Sequence, residues 1–358
     1  MVGKGSGLVV LLLLLALAVL FAGCATQEQK PTTPTTTPPA QKTSWTWATL
    51  DPGGYGYRVI AGILDTVRAD LPQYDFVVKP YSSTTSAIKG FCKGEADGTY
   101  IADLGFKELY TFTGAFKDFQ PEVKQMPVQS FWTYTMETFI LVPKDKANEI
   151  KSWKDLEGKK VYLTPAGYMN HINIRRALDA VGVKVEHVEV DSKFVCKALE
   201  EGTIVATALY TTARVSLPTW GQELAISCKG KLVPLNPSQE EIEKLNSAGL
   251  QLVEIDAKVV DKEMTGKIYG VPFYFGYHVG MKISEDDVYK FLKAIEKNAE
   301  KLPQVDAGLR PLAENVAQFQ YLGVKSADPK VVPIHPGLAK YLKEKGLWEA
   351  EWDKYIAK

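Results

Sequence analysis

The sequence predicts an α/β protein built as two lobes, and two observations carry that expectation. With 358 residues, the chain is too long for one ordinary domain. A helix, a stopping glycine and a short buried strand also occur once in each half. In the first half these are the helix to Lys93, the turn Gly94-Glu95-Ala96-Asp97 and the strand Gly98 to Ala102; in the second, Ser192 to Glu201, Gly202 and Thr203 to Tyr210. Lobes of this design carry binding residues at strand ends. Hydrophobic residues make up 46% of the chain, enough for sizeable cores. Lys plus Arg and Asp plus Glu number 42 each, so no basic field exists to attract nucleic acid.

The N-terminus sets the compartment. Lys4 precedes a run of roughly 15 apolar residues from Leu8 to Ala22, the length of a signal segment and shorter than the about 20 a membrane span needs. The run ends in Leu20-Phe21-Ala22-Gly23-Cys24. Residues 1–23 are read as a signal peptide and Cys24 as the residue that receives lipid, although Phe21 stands where a lipoprotein signal prefers Leu; the alternatives are a plain secretory signal or an uncleaved anchor. Residues 24–43 form a linker whose PTTPTTTPP stretch, Pro31 to Pro39, is too polar and proline-rich to pack. The folded protein starts near Ser44, and no later segment is long and apolar enough to span a membrane. With Cys24 lipidated, Cys92, Cys196 and Cys228 remain. Cys196 lies in a helical stretch and Cys228 at the end of a strand-like one; they either form a disulfide or stay free and buried.

The mature chain opens with a strand, Trp45 to Leu50, then the loop Asp51-Pro52-Gly53-Gly54-Tyr55-Gly56-Tyr57, then a helix in which Ile60, Ile63, Leu64, Val67 and Leu71 recur at helical spacing. A glycine loop ahead of a helix turns backbone N–H groups toward a ligand, above all an anion; the alternative is a purely structural turn. Gly54 and Gly56 have the first spacing of a dinucleotide fingerprint, but Val59 occupies the third glycine position. Phe76 to Lys79 reads as a strand, and Ser82-Ser83-Thr84-Thr85 opens a helix whose hydroxyls cap it or meet a ligand. Thr138 to Pro143 is a continuous apolar run, expected of a strand covered on both faces. Ser152 caps a short turn that Gly158 stops, ahead of the strand Val161 to Thr164. The loop Pro165 to Asn170 precedes a helix, Ile172 to Val181, and a strand, Lys184 to Val190. Tyr210-Thr211-Thr212-Ala213-Arg214 follows a buried strand, placing Arg214 either at the crevice or in solvent. Ile268 to Met281 brings the chain back.

The segment Ile150 to Val161, with Ser152-Trp153-Lys154-Asp155-Leu156-Glu157-Gly158-Lys159 inside it, resembles the place where two-lobed solute-binding proteins cross between lobes. The loop Ala48 to Gly54, the Lys93 to Asp97 turn and the tail Val332-Pro333-Ile334-His335-Pro336-Gly337 followed by Tyr341 to Leu347 extend the likeness over Thr46 to about Trp348. In that order they resemble the substrate-binding proteins of tripartite ATP-independent periplasmic (TRAP) transporters, in the TAXI subfamily. The resemblance implies a type II periplasmic-binding-protein-like fold with two crossover strands and a cleft between the lobes. Lobe 1 would comprise 45–142 and 271–358, and lobe 2 143–270.

The same resemblance implies an extracytoplasmic, lipid-anchored receptor that hands a small carboxylate to an integral-membrane TRAP permease; the alternative is a receptor for an ABC importer or a sensor kinase. It directs Asp51, Gly53, Gly54, Tyr55, Tyr81, Ser82, Ser83, Thr84, Tyr168, Met169, Asn170, Tyr210, Thr211, Arg214 and Tyr274 toward the ligand. Leu50 and Asp51, Ser82 and Ser83, and Tyr168 to Asn170 replace the family's smaller residues, and Ala213-Arg214 ends a strand that small residues and proline usually follow. Arg214 is expected to grip a carboxylate through its planar fork, Asp51 to favour a cationic or hydroxyl group, and the tyrosines to wall the crevice. An enzyme is not expected, since neither G-x-S-x-G nor G-x-x-x-x-G-K-S/T occurs and the histidines at 171, 187, 278 and 335 lack ligand spacing. No cofactor or metal is implied.

Overall fold

The computed structural model describes residues 42–358. The expected signal peptide, the expected lipidation site Cys24 and the expected linker up to residue 41 lie outside the described residues. In chain order the elements are β1 (Thr43–Thr49), α1 (Tyr55–Val67), β2 (Tyr74–Pro80), α2 (Thr84–Cys92), β3 (Gly98–Ala102), α3 (Asp103–Thr111) and the long β4 (Trp132–Pro143). There follow β5 (Lys160–Tyr162), α4 (Met169–Val181), β6 (Glu186–His187), α5 (Val195–Glu200), β7 (Ala206–Thr212), α6 (Thr219–Ser227), β8 (Leu232–Pro234), α7 (Gln239–Ser247) and β9 (Val253–Asp256). The long β10 (Lys267–Val279) returns the chain to α8 (Glu285–Lys297), α9 (Leu302–Val305), α10 (Arg310–Glu314), α11 (Val316–Ala327) and α12 (Pro336–Glu344).

The strands form one sheet ordered β2-β1-β3-β10-β4-β7-β5-β6, with β8 beside β4 and β9 beside β10. β1 runs parallel to β2 and β3, whereas β4 and β10 pair antiparallel through Val271↔Thr138 to Phe275↔Tyr134. These two strands pass through both halves of the molecule. Their ends nearer Met136 and Phe273 pack into a core of residues from both ends of the described residues, with Trp45, Trp47, Phe291 and Tyr341. Beyond Phe139 and Val271 the same strands enter two other cores, around Tyr162, Leu209 and Ile268 and around Trp153, Ile174 and Leu178. α4 is tied to both strands at one paired position: Asn173 Nδ2 donates to the Val271 carbonyl at 2.8 Å and to Thr138 Oγ1 at 3.2 Å, and Thr138 Oγ1 donates to Asn170 Oδ1 at 3.2 Å.

The turn expected after Ser152 is a 3₁₀ turn, Trp153–Leu156, with a reciprocal Ser152–Asp155 capping box. Trp153 is fully buried, and its Nε1 donates to the Leu235 carbonyl at 2.9 Å. Three expectations are corrected. α4 begins at Met169, not Ile172, because its polar first turn faces inward: Asn170, His171 and Asn173 are all buried. The strand expected over Lys184 to Val190 shortens to Glu186–His187, which pairs with β5 only. Cys228 ends a helix, α6, and not a strand; Pro218 precedes the helix and Leu224 turns inward while Ile226 is exposed. Cys196 and Cys228 are joined as a disulfide, with Cα atoms 5.6 Å apart, so α5 is bound to the end of α6. Cys92 is a buried free thiol, pushed up to about 12 by burial.

Candidate ligand-binding site

A cavity of about 320 Å³ opens between elements on either side of the crossover strands. Four helix N-termini reach it. α1 follows β1 through Gly54, and no side chain of the N-cap residue accepts from its first amides. α4 follows Tyr168 and α6 follows Pro218, again without a side-chain cap and without an acidic residue in the first turn. Gly54 and Tyr55, Tyr168 to Asn170, and Pro218 to Trp220 all line the cavity. The orphan N–H groups and positive ends of three helices of nine or more residues therefore face one volume. α2 contributes Thr84, but its N-cap Ser83 is spent on a capping box with Ser86.

Two buried hydroxyls complete this polar end. Tyr162 and Thr164 belong to the cavity wall at 0% and 1% exposure, and their hydroxyl oxygens, sealed behind its surface, have no hydrogen-bond partner among the described residues. Thr164 has a φ of 73°, a left-handed conformation that a β-branched residue rarely adopts. Its carbonyl lies 2.9 Å from Nδ1 of buried His171, which holds this peptide in place. Burial raises the Tyr162 hydroxyl above the ordinary phenol range and pushes Tyr210 up to about 12, so both stay protonated donors at neutral pH. Burial, and then the charge of Asp51, also raise Tyr168.

The remaining wall is aromatic. Trp220 stands edge-on to Tyr162 and Tyr210, with centroids 6.2 and 6.0 Å apart. Opposite them, Tyr100 and Phe275 stack at 4.3 Å. The charged side chains lining the cavity are Asp51, Arg58 and Glu223, all exposed.

Of the residues expected at the ligand, Asp51, Gly53, Gly54, Tyr55, Thr84, Tyr168, Met169, Asn170 and Tyr210 line this cavity. Six do not. Tyr81 donates its hydroxyl to Glu95 at 2.7 Å, Ser82 is exposed, and Ser83 caps α2. Thr211 and Tyr274 fail by strand parity: successive residues of a strand face opposite sides, so Tyr210 and Phe275 reach the cavity and their neighbours cannot. Thr211 Oγ1 instead donates to Glu137 at 2.7 Å. Arg214 is also displaced. Ala213 and Arg214 have φ of 52° and 63°, a left-handed reversal after β7 that Glu137 holds through the Arg214 backbone N–H. Arg214 and Tyr274 line a separate hollow with Thr135, Phe319 and Leu322. Sequence reasoning missed Arg58, Tyr162, Thr164 and Trp220. Arg58 directly follows the Asp51 to Tyr57 loop, whose expected position at the crevice is a usable signal for it.

A family model described as the NMT1-like family matches residues 48–346. No curated protein matches the chain. Among solved structures, the periplasmic sulfonate-binding protein SsuA from Methylobacillus flagellatus KT is similar with a TM-score of 0.50 at 15% identity, covering 87% of this chain and 97% of that one. MatC (Rpa3494) from Rhodopseudomonas palustris with bound malate gives 0.47 at 11% identity, over 81% and 100%. The alkanesulfonate-binding protein SsuA from Xanthomonas axonopodis pv. citri bound to MOPS gives 0.41 at 12%, over 89% and 95%. At such identities the likeness is one of fold, and that fold is the mixed α/β, periplasmic-binding-protein-like type II architecture.

Proposed function

The chain belongs to the NMT1-like family, and from that membership and its fold we propose that it is an extracytoplasmic solute-binding protein serving a membrane transporter. Its ligand is a small organic acid or amino acid held in the cavity between the lobes. One observation carries the ligand class: three uncapped helix N-termini line one cavity whose wall also holds two unpartnered buried hydroxyls. A carboxylate satisfies both sets of donors at once. Leaving them unsatisfied in a closed site costs free energy for every orphan group, so an acid both fills and stabilises the site. The proposed ligand residues are those expected ones that line the cavity, joined by Arg58, Tyr162, Thr164 and Trp220.

The finer assignment rests on the motif order from Ala48 to Leu347: a TAXI-type receptor delivering its ligand to a TRAP permease, anchored through lipid on Cys24. A neighbouring gene for a fused two-part permease supports that partner, whereas a neighbouring ATPase supports an ABC importer. The lobes close on the ligand about β4 and β10. A thermal-shift screen of the protein against amino acids, monocarboxylates and dicarboxylates tests the ligand class. The expected result is a melting temperature that rises with the concentration of an acid; a flat response to every carboxylate removes the proposal.

A further inference from the structure

Resting on the reading of the cavity as an acid-binding site, we propose that its ligand is an aromatic monocarboxylate, with its ring laid on the indole of Trp220, which Tyr162 and Tyr210 back from behind. Three features of the cavity select this class. The first is the wall itself. Tyr162 and Tyr210 stand at 86° and 63° to Trp220, and the indole is only half-buried. Tyr162 and Tyr210, 0% and 5% exposed, hold the indole in one orientation, so a flat ring laid on its open side extends the cluster in the stacked or edge-to-face arrangements that aromatic groups prefer. A flexible aliphatic chain gains the burial without that geometry.

The second is the placement of donors. Tyr162, whose ring packs against Trp220, carries one unpartnered hydroxyl in the cavity wall, and Thr164 lies two residues further on with its own. The acid group and the ring of the ligand are thus received side by side, as in an acid whose carboxylate is attached to the ring directly or through one or two atoms. The third is charge. Among the cavity's ionised side chains, Asp51 and Glu223 outnumber Arg58, so the helix ends serve one carboxylate well while a second would meet like charge.

Calorimetric titration of the protein with phenylacetate, cyclohexylacetate and succinate tests the inference, because the first two share charge and approximate size and differ in aromaticity. Phenylacetate is expected to bind about fivefold or more tightly than cyclohexylacetate, and succinate more weakly than either. Trp220→Leu should remove most of the preference for the ring. Tyr162→Phe, which keeps the ring and deletes only the orphan hydroxyl, should weaken both monocarboxylates by roughly tenfold while the ligand-free variant melts no lower than the wild type. Cyclohexylacetate or succinate binding as tightly as phenylacetate overturns the aromatic class and leaves the acid receptor standing. Unchanged monocarboxylate affinity in Tyr162→Phe overturns the seat assigned to the ligand. Absence of binding by all three, with no carboxylate active in the thermal-shift screen, removes the acid-binding reading and this inference with it.

Discussion

The Glu137 carboxylate accepts the backbone N–H of Arg214 at 2.8 Å, and this bond holds the turn from which the arginine lines a hollow separate from the candidate cavity. The same carboxylate accepts Thr211 Oγ1 at 2.7 Å and Thr135 Oγ1 at 2.5 Å. Glu137 is thus a buried acid that organises the end of β7 beside the paired strands β4 and β10.

Arg214→Ala is therefore expected to leave ligand affinity within about twofold, since the side chain does not line the cavity. Arg58→Ala should weaken acid binding by about threefold, less at high salt, because this exposed guanidinium acts through screened charge. Calorimetry of both variants at two ionic strengths checks the pair. A large loss in Arg214→Ala alone would reverse the assignment.

Burial raises the Glu137 carboxyl above its ordinary value of 4.5, the hydrogen bonds from Thr135, Thr211 and Arg214 offsetting this only in part. The folded state then holds this proton more tightly than the unfolded state. Wild-type stability should be unpenalised below the ordinary value and fall as pH rises from there through the raised folded value, where ionising the buried group costs free energy. Glu137→Gln lacks that slope. From low to high pH across this range, the wild-type denaturant midpoint should fall relative to that of Glu137→Gln; parallel profiles would show that Glu137 does not titrate differently on folding.

The residues that β4 to β10 place in the cavity show what the sequence could and could not reveal. The strand Gly98–Ala102 was legible to the residue because Gly94 and Asp97 bound it, and Ile268 to Met281 matched β10 within two residues because its apolar run is long. The loops before α1 and α4, expected at a crevice from their position between a strand and a helix, line the cavity. Strand parity was not: Tyr274 and Phe275 are both aromatic, so nothing in the local pattern says which side of β10 meets the cavity. Nor was the corner around Trp220, since Tyr162, Tyr210 and Trp220 come from β5, β7 and α6, and only the tertiary fold brings the three together. The placement of Arg214 outside the cavity was hidden for a related reason. Its chemistry suits a carboxylate, but two consecutive left-handed residues redirect it.

The Cys196–Cys228 bridge closes a loop with a sequence separation of 32, and constraint of the unfolded chain by a loop of that size contributes about 3–4 kcal/mol. Cys196→Ser/Cys228→Ser should lower the denaturation free energy by about this amount. Ligand affinity should also fall, because α6 presents Trp220 to the cavity at one end and carries the bridge at the other. Equilibrium denaturation and titration of the double variant check both, and undiminished stability would show that the bridge closes a loop already ordered without it.

A crystal structure with the tightest-binding acid from the screen tests the central claim most directly. The account predicts the carboxylate within hydrogen-bond distance of first-turn amides of α1, α4 or α6 and of the Tyr162 or Thr164 hydroxyl, inside the cavity between the lobes. A carboxylate held instead by Arg214 in its separate hollow, or an acid bound nowhere near the three helix ends, would contradict it.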